Sequence, residues 1–178
     1  GFGLSPEMRS FENQSFIIRS HAMVLRAVNR LDFGVSYFSK GRLKDTELYD
    51  PLPFVVAFDS LHPQLLNTNF NANVLADGRI QLSVRSEGGP LNNYDKASNM
   101  GHSRPVEFDQ VVQAGDVVQH SAFSFRIKAA PGRSAPVPGT YMFRFNSHSA
   151  IASSLRGALN VAPYREGSSI IFISTTGQ

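Results

Sequence analysis

Between Phe16 and Leu31 the apolar side chains Phe16, Ile17, Met23, Val24, Ala27, Val28 and Leu31 recur at three- and four-residue intervals. That spacing gathers them on one face of a helix. Ser5-Pro6-Glu7, just ahead, reads as a helix start, with Ser as the N-cap, Pro at the first helical position and an acid where the helix dipole favours it. Ser20 is placed to cap a second helix, so the pattern predicts a short helix and then a longer one running to about Leu31, with Gly34 as the stop. After Gly34 the period changes to two, beginning with Val35 and Tyr37 and a polar turn around Lys40-Gly41.

Alternation of the kind that buries one face of a strand follows at Phe54/Val56/Phe58, Phe70/Ala72/Val74, Ile80/Leu82/Val84, Phe123/Phe125/Ile127 and Tyr141/Phe143/Phe145. The segments between them hold Asp77-Gly78, Glu87-Gly88-Gly89-Pro90, Ala114-Gly115-Asp116 and Pro138-Gly139, the turn chemistry of antiparallel connections. Ser149 to Arg156 predicts a short helix stopped by Gly157, and Ala158 to Val161 a return to strand. Ser169 to Ser174, SIIFIS, is continuously apolar, which predicts a strand buried on both faces and paired with the Val35 to Phe38 region. The expected fold class is therefore α+β. N-terminal helices and terminal strands (residues 1–49 and 155–178) form a small α+β base, and residues 50–154 form a large inserted antiparallel β-sandwich or jelly-roll-like region.

Composition supports a packed body: 178 residues with 42% hydrophobic content can enclose a core, and 14 Phe with 5 Tyr are foreign to disordered chains. No segment approaches the roughly 20 apolar residues that cross a bilayer, and GFGLSPEM lacks the basic and apolar regions of a signal peptide. With no Cys, disulfides, thiolate catalysis and Cys-ligated zinc are excluded together, and either redox compartment remains open. The net charge of +3 is unevenly spread: Asp50 to Asp116 carries eight acids and four bases, whereas Val117 to Arg165 carries six bases and no acid. This second stretch is a candidate anion-facing surface, with Arg126, Arg133 and Arg144 as candidate contacts for a glycan or another anion. Strand alternation alone would also place these Arg side chains in solvent.

The five His (His21, His62, His102, His120, His148) are scattered, without the spacing or neighbouring acids of a metal site. Gly101-His102-Ser103-Arg104-Pro105 lacks the final Gly and the strand-to-helix setting of a nucleophile elbow, and Gly132 to Thr140 lacks the Lys of a phosphate-binding loop. The acids between Asp50 and Asp116 lie mostly in turns, where a structural role accounts for them better than paired glycosidase carboxylates. The absence of Trp counts against a dedicated sugar platform, and the charge forms no Lys/Arg stripe interleaved with aromatics for nucleic acid. No catalytic, cofactor or metal residue is assigned, and no cofactor is expected.

Phe11 to Tyr49 reads FENQSFIIRSHAMVLRAVNRLDFGVSYFSKGRLKDTELY. Glu12-Asn13, Ile18, Ser20, Val24, Val28 and Leu31, then Val35-Ser36-Tyr37-Phe38, Gly41-Arg42, Lys44 and Thr46-Glu47-Leu48-Tyr49, fall in register with a helix of type ENEIxILKSxxLxxxVVxxLxL followed by VSYFxxGRxKxTELY. This stretch resembles the chain-length-determinant proteins of Wzz and Wzc type, the polysaccharide co-polymerases, in particular the tyrosine-autokinase-linked forms of Bacteroidetes. Gly139 to Asn146 (GTYMFRFN), Arg156 to Val161 (RGALNV) and Ser168 to Ser174 (SSIIFIS) are similar to that family's return to its base strand, while Asn67 to Ala114 matches only loosely.

The resemblance implies a non-catalytic periplasmic domain at the bacterial inner membrane that regulates the length and export of capsular polysaccharide or exopolysaccharide. It implies a homo-oligomer in the full-length protein and contact with the polymerase and export machinery, with the polysaccharide itself as a candidate further partner; the charge pattern, separately, gives no expectation of nucleic acid. Arg42, Lys44, Glu47 and Tyr49, in the motif after the first base strand, are candidate interface residues, with local salt bridges and a turn as the alternative. Family members also carry two transmembrane helices and in some cases a cytoplasmic tyrosine kinase with a Walker-type loop. None of these is present between Gly1 and Gln178, so the chain is expected to be an excised soluble portion of such a protein, with Gly1 a tag remnant. A carbohydrate-binding β-sandwich that touches the glycan directly is the alternative function.

Overall fold

The computed structural model describes residues 6–31, 33–41, 44–95, 98–165 and 170–175. In chain order its elements are helices α1 (Pro6–Ile18) and α2 (His21–Val28), then strands β1 (Val35–Ser39), β2 (Thr46–Leu48), β3 (Val55–Phe58), β4 (Gln64–Leu65), β5 (Phe70–Val74), β6 (Arg79–Ser86) and β7 (Pro90–Asn93). Strands β8 (Ser98–His102), β9 (Val106–Gln113), β10 (Val118–His120), β11 (Phe123–Lys128) and β12 (Gly139–Phe145) follow, and helix α3 (His148–Ala158) leads into β13 (Leu159–Pro163) and β14 (Ile171–Thr175). The chain divides into two compact units, a body of Gly34–Ser147 and a second unit made from Gly1–Phe33 with His148–Gln178. The division falls at Gly34 and Ser147, whereas the sequence pattern suggested residues 50 and 154.

In the body a six-stranded sheet runs in the order β2-β1-β12-β5-β6-β9, and a three-stranded sheet in the order β10-β11-β3. A further small sheet is ordered β4-β7-β8. Every ladder is antiparallel, as the Gly-bearing turns predict. Each predicted alternation supplies one inward row. Phe70, Ala72 and Val74, then Ile80, Leu82 and Val84, are buried on the large sheet, facing Phe123, Phe125 and Ile127 of the small one.

The centre of this core is aromatic. Phe70 and Phe143 are cross-strand partners whose rings stack at 5.0 Å with an interplanar angle of 11°. From the opposite sheet Phe123 and Phe125 meet Phe70 edge-on, at 5.1 and 5.5 Å. Edge-to-face contact places positive ring edges on negative faces, so the two sheets are held in register as well as kept dry. At the sheet margin the N–H of Val56 faces away from β11 and donates instead to the Tyr37 hydroxyl at 2.9 Å. Fully buried Gln64 does similar work: its amide donates to the carbonyls of Asp59 and Ser124, both at 3.0 Å, and accepts from the Ser124 N–H at 3.3 Å. Buried polar groups left unpaired would cost about 1–3 kcal/mol each, and these side chains prevent that.

The first and last residues of the body are tied together. The Asn146 N–H donates to the Gly34 carbonyl at 2.9 Å, the Asn146 amide to the Ser36 hydroxyl at 2.9 Å, and the Tyr94 hydroxyl to the carbonyls of both Asn146 and Gly34. The second unit is smaller. Helices α2 and α3 bury Val24, Val28 and Ala152 between them, with Leu25, Ile151, Leu155 and Leu159 packed alongside. Ser20 caps α2 as predicted, its hydroxyl accepting from the Met23 N–H at 3.3 Å, while Ser5 lies outside the described residues. Helix α3 runs through Gly157 instead of stopping there, since a glycine near a helix end weakens the helix only modestly.

One expected pairing is overturned. Strand β1 does not pair with the SIIFIS segment; it lies between β2 and β12, with Val35 opposite Phe145 and Tyr37 opposite Phe143. Strand β14 pairs with β13, and its Phe172 and Ile173 are 58% and 52% exposed, so it is not a two-sided central strand. A continuous apolar run names no partner, whereas alternating β1 directs Tyr37 into the core and is drawn into that sheet. Strand β9 carried little signal because it is an edge strand with mostly exposed side chains, although it pairs with β6 over its whole length.

Replacement of Phe70 by Ala is expected to destabilise the chain by about 3–5 kcal/mol, and Phe70→Leu by clearly less, in urea denaturation followed by near-UV circular dichroism. Burial holds the Tyr94 phenol well above its ordinary pKa of 10.0. A raised acid pKa in the folded state gives stability that is whole below pH 10 and is lost as pH rises further, because the unfolded chain gains by ionising. The urea midpoint should therefore fall steeply above about pH 10, and Tyr94→Phe should flatten that alkaline limb while lowering the midpoint at neutral pH.

Candidate anion-facing cleft

Three connections converge at one end of the body. The β5–β6 turn is closed by the Gly78 N–H donating to the Leu75 carbonyl at 3.0 Å, with Gly78 at φ 84°. In the β9–β10 turn the Gly115 N–H donates to the Ile127 carbonyl at 2.8 Å, with Gly115 at φ 92°, and the Gln113 N–H donates to an Asp116 carboxylate oxygen at 2.8 Å. The β11–β12 connection turns where the Arg133 N–H donates to the Ala130 carbonyl at 3.0 Å. Between these connections lies an open cleft of about 520 Å³ lined by Asp77, Gly78, Arg79, Gln113, Ala114, Gly115, Lys128, Ala129, Ser134, Ala135 and Pro136.

Its electrostatics are set by one ion pair and one uncommitted cation. Arg79 Nη2 lies 2.7 Å from Asp77 Oδ2, Arg79 Nε donates to the same oxygen at 2.8 Å, and the Arg79 N–H donates to Asp77 Oδ1 at 3.0 Å. These hydrogen bonds from Arg79 hold the Asp77 carboxyl below, and the Arg79 guanidinium above, their ordinary pKa values. Lys128, at the end of β11, is exposed, and its ammonium makes no hydrogen bond or ion pair with the described residues. Ser134 and Gln113 likewise offer side-chain groups that no described residue occupies.

The sequence-predicted anion contacts are split by the fold. Arg126 stands beside the cleft, its guanidinium donating to the Gly115 carbonyl at 2.8 Å, and Arg133 is exposed on the connection that supplies Ser134. Arg144 belongs elsewhere. It is half-buried on the outer face of the large sheet, with its guanidinium 5.2 Å from the Phe38 ring centre, so it serves as a packing cation. Asp77, Arg79 and Lys128 were not singled out from sequence. Asp77-Gly78 reads only as a turn, and the one available signal for Lys128 was its place beside Arg126 in the acid-free stretch.

Of the candidate interface residues, Arg42 lies outside the described residues and Lys44 is exposed. Glu47 is on β2, and its charge raises the pKa of Tyr49, which is 74% exposed. Gly41 is required by space, since a Cβ there would lie 2.1 Å from the Lys44 carbonyl oxygen. In the second unit a separate hollow of about 680 Å³ is lined by Phe11, Glu12, Ser15, Phe16, Arg19, Ser20, His21 and Arg156, where His21 Nε2 lies 3.4 Å from the Ser149 hydroxyl. Among the described residues no three His, Cys, Asp or Glu side chains group to hold a metal, and no helix is long and apolar enough to cross a membrane. No protein-family model matches the sequence, and no curated protein is similar to it.

Gly115→Ala should cost about 1–2 kcal/mol, because a Cβ is strained at that backbone angle. It should also displace the carbonyl that Arg126 holds, read as a lower urea midpoint with amide shifts confined to 113–116 and 126–128 in a heteronuclear NMR spectrum.

Proposed function

We propose that this chain is the non-catalytic periplasmic portion of a Wzz/Wzc-type polysaccharide co-polymerase, a module that assembles with copies of itself and helps to set the length of a capsular polysaccharide or exopolysaccharide. The body is then a β-sandwich of jelly-roll-like kind inserted into a unit made from both chain ends. The observation that carries this reading is the surface of that end-built unit. Phe16 is 79% exposed, and Ile17, Leu31, Ile170, Phe172 and Ile173 are each more than half exposed. Exposed large apolar side chains at this density mark a surface that a partner covers. The body, by contrast, buries Phe54, Phe70, Phe123, Phe125, Phe143 and Phe145 almost completely, which suits a self-sufficient insertion.

The motif resemblance at both ends supplies the class. Lys44, Glu47 and Tyr49, all exposed, remain the candidate contacts to a neighbouring subunit. The periplasmic face of the inner membrane is the corresponding location.

In the full-length protein in its own cell, in-frame removal of Gly34–Ser147 should shift the modal length of the surface polysaccharide. A second variant, Phe16→Ser with Phe172→Ser, leaves the body intact and should lower the oligomer mass of the detergent-purified protein. An unchanged polymer-length distribution together with an unchanged oligomer mass overturns the proposal.

A further inference from the structure

The cleft at the turn end of the body combines four features that rarely meet on a surface by strand alternation alone. Lys128 brings a cation that nothing described neutralises. Gln113 and Ser134 bring a free amide and a free hydroxyl beside it. The Asp77–Arg79 pair is held by two hydrogen bonds and an ion-pair contact, which leaves a fixed carboxylate with further acceptor capacity on the wall. The remaining lining is small or apolar, Pro136 being buried in it, so a ring could approach the backbone closely.

We infer that this cleft binds a carboxylate-bearing segment of an acidic polysaccharide, with the Lys128 ammonium on the uronate carboxylate and with Gln113, Ser134 and Asp77 on ring hydroxyls. A carboxylate needs a cation, and its charge-assisted hydrogen bond is the strongest single contact available here. Sugar hydroxyls need both donors and acceptors, which an amide, a hydroxyl and a fixed carboxylate provide. The C–H face of the ring rests on the exposed Ala114 and Ala135. The volume of about 520 Å³ lies within the range of small-molecule sites, about 300–1,000 Å³. The open end lets a longer chain continue in either direction.

Nucleic acid is disfavoured because no aromatic side chain among the described residues lines the cleft for base stacking. Arg126 acts as a positioning residue: by holding the Gly115 carbonyl it fixes the turn that carries Gln113 and Ala114, and it adds positive potential at the rim. Arg133 adds more of the same from the adjoining connection. The inference rests on the cleft and not on the co-polymerase reading, since binding is measured on the 178-residue chain without polymer synthesis.

The test is titration of that chain with oligogalacturonate, read by amide shifts in a heteronuclear NMR spectrum. Shifts should concentrate at 77–79, 113–115 and 128–135, and binding should weaken as salt is raised. Lys128→Gln should weaken affinity about tenfold, a loss of about 1.4 kcal/mol. Arg85→Gln, which breaks the exposed pair between Arg85 and Glu107 on the β6–β9 ladder, should leave binding unchanged. Fully methyl-esterified oligogalacturonate should fail to bind. No cleft shifts at millimolar oligogalacturonate would overturn the inference. So would equal binding of the methyl ester, which would make the site a neutral-sugar site, or full competition by inorganic phosphate at the same concentration, which would make it a bare anion site.

Discussion

The stacked pair of Phe70 and Phe143 is the contact on which the body depends. Both rings stand on neighbouring strands of the large sheet, and the small sheet is held to them by the edges of Phe123 and Phe125. Phe145 closes the cluster, 5.5 Å from Phe70 and 5.6 Å from Phe58. Aromatic packing of this kind adds a directional preference to area burial, so it selects one relative placement of two sheets that burial alone would let slide. The polar groups at the margin follow from that placement. Only because the sheets face each other at this spacing can Tyr37 accept from Val56 and Gln64 bridge Asp59 and Ser124.

A dry, closed interior leaves chemistry to the periphery. The two salt bridges among the described residues of the body are exposed and contribute little to stability. Their interest is positional: Asp77–Arg79 shapes the turn at the cleft, whereas Arg85–Glu107 only decorates a ladder. Loops carried by a rigid scaffold are the usual place for recognition. The cleft is assembled from three such connections, each pinned to its sheet by backbone hydrogen bonds.

The end-built unit obeys a different balance. Its closed cluster is small, Val24, Val28 and Ala152 with four flanking residues, and β13 with β14 forms a two-stranded hairpin with apolar side chains in solvent. Such hairpins are marginal alone. The polar contacts within the unit, His148 Nδ1 with Asn29 Oδ1 at 2.9 Å and His21 with Ser149, link the ends of α2 and α3 and leave the apolar surface uncovered. That contrast between a self-sufficient body and an unsatisfied end-built unit is what an assembly role would require.

By itself the sequence determined that the alternating segments became strands and which side of each faced inward, while β9, with little alternation, went unmarked. Phe70/Ala72/Val74, Ile80/Leu82/Val84 and Phe123/Phe125/Ile127 are buried as their alternation demands, because a period of two leaves a strand only one way to hide its apolar row. Ser20 as a cap was legible for the same local reason, since the hydroxyl and the N–H that it satisfies are three residues apart. Partner choice was not legible. That β1 joins β12 and that SIIFIS forms a hairpin with β13 depend on contacts between distant segments, which periodicity does not encode. The cleft was legible only in part. Arg126 and Arg133 stood out by charge, but Arg144 became a packing cation on Phe38, and Lys128 came to share one cleft with Asp77–Arg79 only when the tertiary structure brought three turns together. Charge along a chain has no direction until strands assign each side chain a face and a neighbour.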